Sequence, residues 1–459
     1  MGKSNFLLVE KTKNIFMLIC FSLLIFLRLP NVILNGRFYS EEGMIFFAYA
    51  WHFPSCISLW RPFAGYLNLA ANASTFLDAY LVRSNFISLE TAPYITIIIA
   101  FLFQIQSAII ILWGKAHWLN AKYIKPLLLL VIALCPFSEE VWLNVLHIQY
   151  QLILCCGLIL ALDTPKGLGF WLYQGFILIF APLCGPGAIA LGPLFLLRSV
   201  LDKSWFRFLQ TILLGLGSLI QLSLFFSHSI VRGNFLNPFT IISILFMRMG
   251  IYPVFGSGFG SFLAKLFEYY HNNGGLYQII IYSIGVLFFF ILFFLAWRYK
   301  NISVCWFIGV ALSIAIISFG GGMISASANS WFNARDGERY GFIPLVFWEM
   351  AVIVLFCNTV KKTKYFFGSI CFLMIFVAFK SYIKPIYSIE FGPDWRREVK
   401  TWRYDHSYPL KVWGWPPSSG MNLADVDLRC PEVSLKTASY NDPTYCETNW
   451  IAHVLALPR

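Results

Sequence analysis

Two adjacent carboxylates, Glu41 and Glu42, stand just beyond the first long apolar stretch of a chain otherwise short of acids. A second pair, Glu139 and Glu140, closes a later apolar stretch and is followed by Asn144, His147, Gln149 and Gln151. A third cluster, 329–340 (NSWFNARDGERY), holds Arg335, Asp336, Glu338 and Arg339. Carboxylates near lipid are costly to bury, so those kept there tend to face a cavity and serve a proton, an ion or a substrate. Arginine supplies a planar fork that stays charged and matches phosphate. Together these residue types suit a transfer in which a carboxylate draws a proton from a hydroxyl while arginines neutralise a departing phosphate. Blander readings stand beside this one: acids favour a helix start, a lone histidine is more often structural, and Arg335 can pair locally with Asp336 or Glu338.

The elements that must position these groups are membrane spans. The chain is 58% hydrophobic and only 12% charged, against roughly 25% charged in a soluble domain, so we expect an all-α polytopic membrane protein. Apolar runs of about 17 to 25 residues fall near 15–34, 93–113, 123–138, 146–162, 168–184, 187–200, 208–226, 276–297, 302–320, 341–359 and 365–381, about 11 transmembrane helices. The first run is long enough to span and lacks a small-residue cleavage site, so it reads as a retained helix. The segment 180–197 is broken by prolines and glycines and reads equally as two spans or a re-entrant hairpin. With the N-terminus inside, Lys and Arg concentrate in the loops of one face, as short cytoplasmic loops do, and these loops account for the whole net charge of +12. The basic balance is therefore topological and gives no reason to expect a nucleic-acid partner.

Residues 1–381 then form a transmembrane domain, and 382–459 form a small extracytoplasmic C-terminal cap rich in Trp and Pro. The first outer loop, 35–91, is longer than most connections. Its segments 43–52 and 63–82 have apolar positions at helical spacing and read as interfacial helices, with Trp51, Trp60 and Tyr66 at headgroup level. The region 227–275 has a run, 239–247, too short to cross, followed by Gly256, Gly258 and Gly260, and reads as a half-inserted or surface helix and a loop. Cys430 and Cys446 share the oxidising side at a spacing that suits a disulfide. No Cys/His spacing proposes a zinc site. No cofactor is expected; a divalent cation is possible at the acids, but two carboxylates alone do not define its site.

A first span followed by a long outer loop that carries an acidic pair and interfacial helices resembles the GT-C class of integral-membrane glycosyltransferases. The class's first-loop acidic motif corresponds to Glu41-Glu42, and its second acidic position, between the third and fourth spans, to Glu139-Glu140. The likeness covers chiefly residues 1–165, and the Glu-Glu pair departs from the class, in which an Asp commonly supplies one acid. What the resemblance implies is a bacterial-type enzyme of the inner (cytoplasmic) membrane, with its C-terminus periplasmic. It would move a sugar from a polyprenyl-phosphate donor to a cell-envelope glycan or lipid acceptor, as in O-antigen modification, with inversion. Glu42, then Glu41, is the expected base. Arg61, Arg335 and Arg339 are expected at the donor phosphate, and Glu139, Glu140 and His147 along the acceptor side. Membrane lipid is the expected surroundings. The rivals are a transporter or flippase of lipid-linked sugars and a polysaccharide polymerase or ligase.

Overall fold

A computed structural model describes residues 3–227, 237–298, 302–321, 331–358, 361–384, 387–414 and 420–424. In chain order the α-helices are α1 (Lys3–Arg28), α2 (Pro30–Asn35), α3 (Ala48–His52), α4 (Leu69–Arg83), α5 (Pro93–Gln104), α6 (Gln106–Trp113), α7 (Ile124–Leu134), α8 (Ile148–Ala161), α9 (Leu168–Leu183) and α10 (Gly192–Asp202). They continue with α11 (Trp205–Ser227), α12 (Pro238–Leu245), α13 (Tyr252–Asn273), α14 (Gly275–Arg298), α15 (Ile302–Gly321), α16 (Glu338–Asn358), α17 (Lys361–Ile383), α18 (Tyr387–Glu390) and α19 (Trp395–Tyr404). Among the described residues, seven helical stretches are long and apolar enough to cross a membrane, and the bent pair α9–α10 raises this to eight. The chain is an all-α, multi-pass membrane protein.

The spans differ from expectation in several places. Residues 93–113, 205–227, 275–295, 302–320, 338–358 and 364–383 form long apolar helices where runs were expected. By contrast, 124–134 and 148–161 are short apolar helices. α7 stops at Leu134 because Cys135 precedes Pro136, and the residue before proline is driven out of the helical region. The proline-broken pair α9–α10 bends by 119°. The segment expected as a surface helix and loop is instead helical from Pro238 to Asn273, with a break at Gly256 (φ 78°, ψ 179°). That backbone conformation is accessible to glycine alone. Gly258 and Gly260 continue the helix. A local reading fails here because a π-turn, Phe246–Ile251, joins the short α12 to α13 and makes one continuous stretch of the two.

Burial sorts the helices into a centre and a lipid-facing shell. Every residue of α8 is buried, and so is the stretch 342–355 of α16. They approach so closely that a Cβ on Gly157 would lie 2.3 Å from the Phe347 ring. α1 buries Phe21 and Ile25 but exposes Ile15, Phe16, Ile19, Leu23 and Leu27, an apolar stripe at helical spacing that suits lipid contact.

The loop after α2 folds as a π-turn, Glu42–Phe47, leading into α3, then a hairpin pairing Pro62–Phe63 with Tyr66–Leu67, then α4. Helix thus begins at Leu69, later than the periodicity suggested, because Ala64 and Gly65 take positive φ (51° and 75°) and turn the chain. The C-terminal residues 387–414 pack directly on this loop. Trp413 N–H donates to the Phe38 carbonyl (3.1 Å), and Ser40 N–H donates to that of Trp413 (2.7 Å). Cys430 and Cys446 lie outside the described residues.

Candidate functional site

The site grows from two tight turns. Ser40 (φ 48°) immediately precedes the first acidic pair, and Phe137 and Leu143 (φ 54° each) bracket the second. Left-handed backbone at non-glycine residues is costly and persists only where surroundings enforce it. Here the surroundings are explicit. Asn68, the N-cap of α4, accepts from Ala71 N–H (3.2 Å) and donates to the Leu146 carbonyl (3.0 Å). A single asparagine thereby starts a helix and ties it to the second acidic turn.

The members of each acidic pair part ways. Glu42 is buried: its Oε2 accepts from Tyr39 N–H (2.9 Å) and its Oε1 from Val145 N–H (3.3 Å). It clamps the loop after α2 to the turn before α8. Burial pushes its carboxyl up to about 7, against the pull of hydrogen bonds from Tyr39, Thr96 and Val145 and the nearby Arg37. Glu41 is only partly buried and lies within electrostatic reach of Tyr39, His147 and Arg339.

The second pair divides likewise. Glu140 forms an ion pair with Arg339, and this contact joins residues 199 positions apart. Its carboxyl is held below the usual range; burial alone would raise it, and the charge and hydrogen bonds of Arg339 outweigh that. Glu139 faces the interior, 4.0 Å from the Arg28 guanidinium, and accepts from Ser381 Oγ (3.3 Å). It thereby meets α1 and α17, and it lies within hydrogen-bond reach of Glu338 at the start of α16. The physical reason is Arg28, a buried cation that also donates to the carbonyls of Ala133 (2.6 Å) and Cys135 (2.8 Å) and needs a carboxylate nearby.

His147 Nδ1 donates to the Glu140 carbonyl (2.7 Å). Its ring stands 5.8 Å from both Tyr39 and Tyr150. Burial lowers it to about 4, so the ring is neutral at pH 7 and Nε2 carries a lone pair.

The arginines separate too. Arg339 stands in the cluster. Arg335 is exposed on the same turn, with its N–H donating to Asn333 Oδ1 (3.1 Å). Arg248 holds that turn by donating to the carbonyls of Trp331 (2.8 Å) and Asn333 (2.6 Å). Arg61 lies 3.8 Å over the Tyr49 ring, a stacking contact elsewhere in the loop after α2.

The structure therefore brings Glu41, Glu140, His147 and Arg339 together, keeps Glu42 as their scaffold and sets Glu139 between Arg28 and Glu338. Among the described residues no three His, Cys, Asp or Glu side chains are grouped as a metal site. Sequence reading passed over Arg28, Arg37 and Asp78. Arg28 lies inside the first apolar run, and that alone marks it. Arg37 is buried, donates to the Ile389 carbonyl (2.8 Å) and lies 4.7 Å from the Tyr39 ring. Asp78 sits in α4 with both oxygens buried and unpartnered, and burial plus the Glu42 charge raise its carboxyl well above the usual range.

No protein-family model matches the chain, and no curated protein or solved structure matches it.

Proposed function

We propose that this protein is a GT-C-like glycosyltransferase that moves a sugar from a polyprenyl-phosphate donor to a cell-envelope glycan or lipid acceptor at the outer face of a bacterial inner membrane. The observation that supports this most is the meeting of Glu41, Glu140, His147 and Arg339 from three distant segments. Glu41 is the base in this reading, because Glu42 already spends its oxygens on Tyr39 and Val145 N–H groups. The acceptor hydroxyl oxygen attacks the anomeric carbon from the face opposite the phosphate, and its proton passes to Glu41. The bond from anomeric carbon to phosphate oxygen breaks, and the phosphate leaves with the electron pair. Arg339, oriented by Glu140, stabilises that charge, with Arg335 at the rim and Arg61 further along the loop. Neutral His147 accepts a hydrogen bond from acceptor sugar through Nε2.

The test is to reconstitute purified protein with a polyprenyl-phosphate sugar and follow donor consumption. Glu41→Gln is expected to lower the rate by about 10²- to 10⁴-fold, the usual worth of a general base. Glu42→Gln is expected to retain most of it. Full activity in Glu41→Gln removes the base assignment, and no donor cleavage by wild type removes the enzyme.

One observation favours a carrier of the same lipid instead: Glu349 lies inside a span with both oxygens buried and unpartnered, as proton-coupled transporters often require. Movement of uncleaved donor across liposomes, lost in Glu349→Gln, identifies that case.

A further inference from the structure

The helices that carry the acidic cluster hold a second polar site at their other ends. α1, α7 and α8 present Arg28, Glu140 and His147 at or beyond one end. At the opposite end an open pocket of about 710 Å³ is lined by Lys13, Lys115, Lys122 and Lys125, with Glu10 and Asp163 as its acids. Four ammonium groups face two carboxylates, so the pocket is net positive. Among the described residues none of these lysines forms a salt bridge.

The walls are fixed rather than loose. Asn14 Nδ2 (3.0 Å) and Lys125 Nζ (2.9 Å) both donate to the Leu112 carbonyl, joining α1 and α7 to the end of α6. Asp163 N–H donates to the Lys115 carbonyl (2.8 Å), and Trp118 Nε1 to that of Ala161 (3.0 Å), which pins the 114–121 loop to the end of α8. Lys125 is thereby engaged in structure, whereas Lys13, Lys115 and Lys122 are exposed. Gathering like charges in one concave site is unfavourable unless an anion answers them.

We infer that this pocket binds the phosphate headgroup of an anionic membrane lipid. Two features favour a lipid over a free anion. Exposed Trp113 and Tyr123 adjoin the pocket, and such aromatics sit at headgroup depth. The exposed apolar stripe of α1, from Ile15 and Phe16 through Ile19 and Leu23, runs away from the pocket and offers a track for the acyl chain. Basic pockets between helices at a membrane face bind lipid phosphates in this way.

The experiment is native mass spectrometry of the full chain in detergent, titrated with phosphatidylglycerol, phosphatidylcholine or inorganic phosphate. Wild type is expected to retain phosphatidylglycerol over phosphatidylcholine, less so as salt rises. The triple variant Lys13→Gln/Lys115→Gln/Lys122→Gln is expected to bind it about a hundredfold more weakly. The corresponding triple Arg variant is expected to restore binding, and Lys166→Gln, outside the pocket, to leave it unchanged. Equal retention of both lipids, or undiminished binding by the triple Gln variant, overturns the site. Displacement of the lipid by millimolar inorganic phosphate overturns the lipid as its ligand. Should the triple Gln variant fail to fold, the wild-type salt series decides: retention indifferent to salt overturns the proposal.

Discussion

At the residue scale, neighbouring identical side chains do different work. Glu41 and Glu42 cannot be told apart by type, yet one carboxylate is locked by Tyr39 and Val145 N–H groups while the other is partly exposed beside His147 and Arg339. Glu139 and Glu140 repeat the pattern, pairing with Arg28 and Arg339 respectively. The acids themselves were legible because acids are scarce in this chain. Their partners were not, since a contact such as Glu140 with Arg339 exists only through folding. This assignment has a measurable signature. Glu42 is raised from 4.5 to about 7, so its folded form holds a proton that the unfolded chain releases. Wild-type stability relative to Glu42→Gln should therefore fall as pH rises from about 4.5 to 7, by on the order of 3 kcal/mol. His147 is lowered from 6.5 to about 4, so wild-type stability relative to His147→Gln should be fully present above pH 6.5 and be lost as pH falls toward 4. Melting temperatures of the three proteins in detergent across pH 4 to 8 check both slopes, and slopes of the same sign would contradict the assignment.

At the element scale, composition located most long helices and the proline-broken pair α9–α10, but not every break. Pro136 ends α7 and Gly256 interrupts 238–273, and each break follows from backbone restriction at one residue. Close approaches between helices depend on position in the same way. A Cβ on Gly217 in α11 would fall 2.3 Å from the Ile179 carbonyl oxygen of α9, whereas one on Gly215 meets nothing within 4 Å. Gly217→Ala must push the helices apart and should cost about 1–3 kcal/mol. Gly215→Ala should be stabilising by about 0.5–1 kcal/mol through helix propensity. Thermal unfolding of the two variants side by side reads the contrast; equal melting temperatures would show that α9 and α11 do not pack in this register.

At the scale of the whole molecule, the C-terminal segment behaves as part of the site's foundation. Trp395 is buried, donates to the Leu89 carbonyl (2.9 Å) and meets Phe38 edge-on at 5.1 Å. Trp395→Ala should cost about 3–5 kcal/mol and loosen the loop that presents Glu41. Hydrogen exchange over residues 37–47 is the direct measurement. Faster exchange there, with α8 still protected, is the expected result, and unchanged exchange would mean that the loop holds its shape without the cap.

Sequence by itself determined that this is a helical, multi-pass membrane protein and that its acids and paired arginines cluster between apolar runs. These follow from hydropathy, length and composition, which are sums over the chain. Only the tertiary structure decided how the two carboxylates of each pair part, that Glu140 meets Arg339, that Glu139 lies beside Arg28, and that residues 387–414 pack on the loop after α2. Those outcomes turn on distances of a few ångströms between residues far apart in the chain, and such distances are set when buried charges and backbone groups must each find a partner in a medium that offers no water.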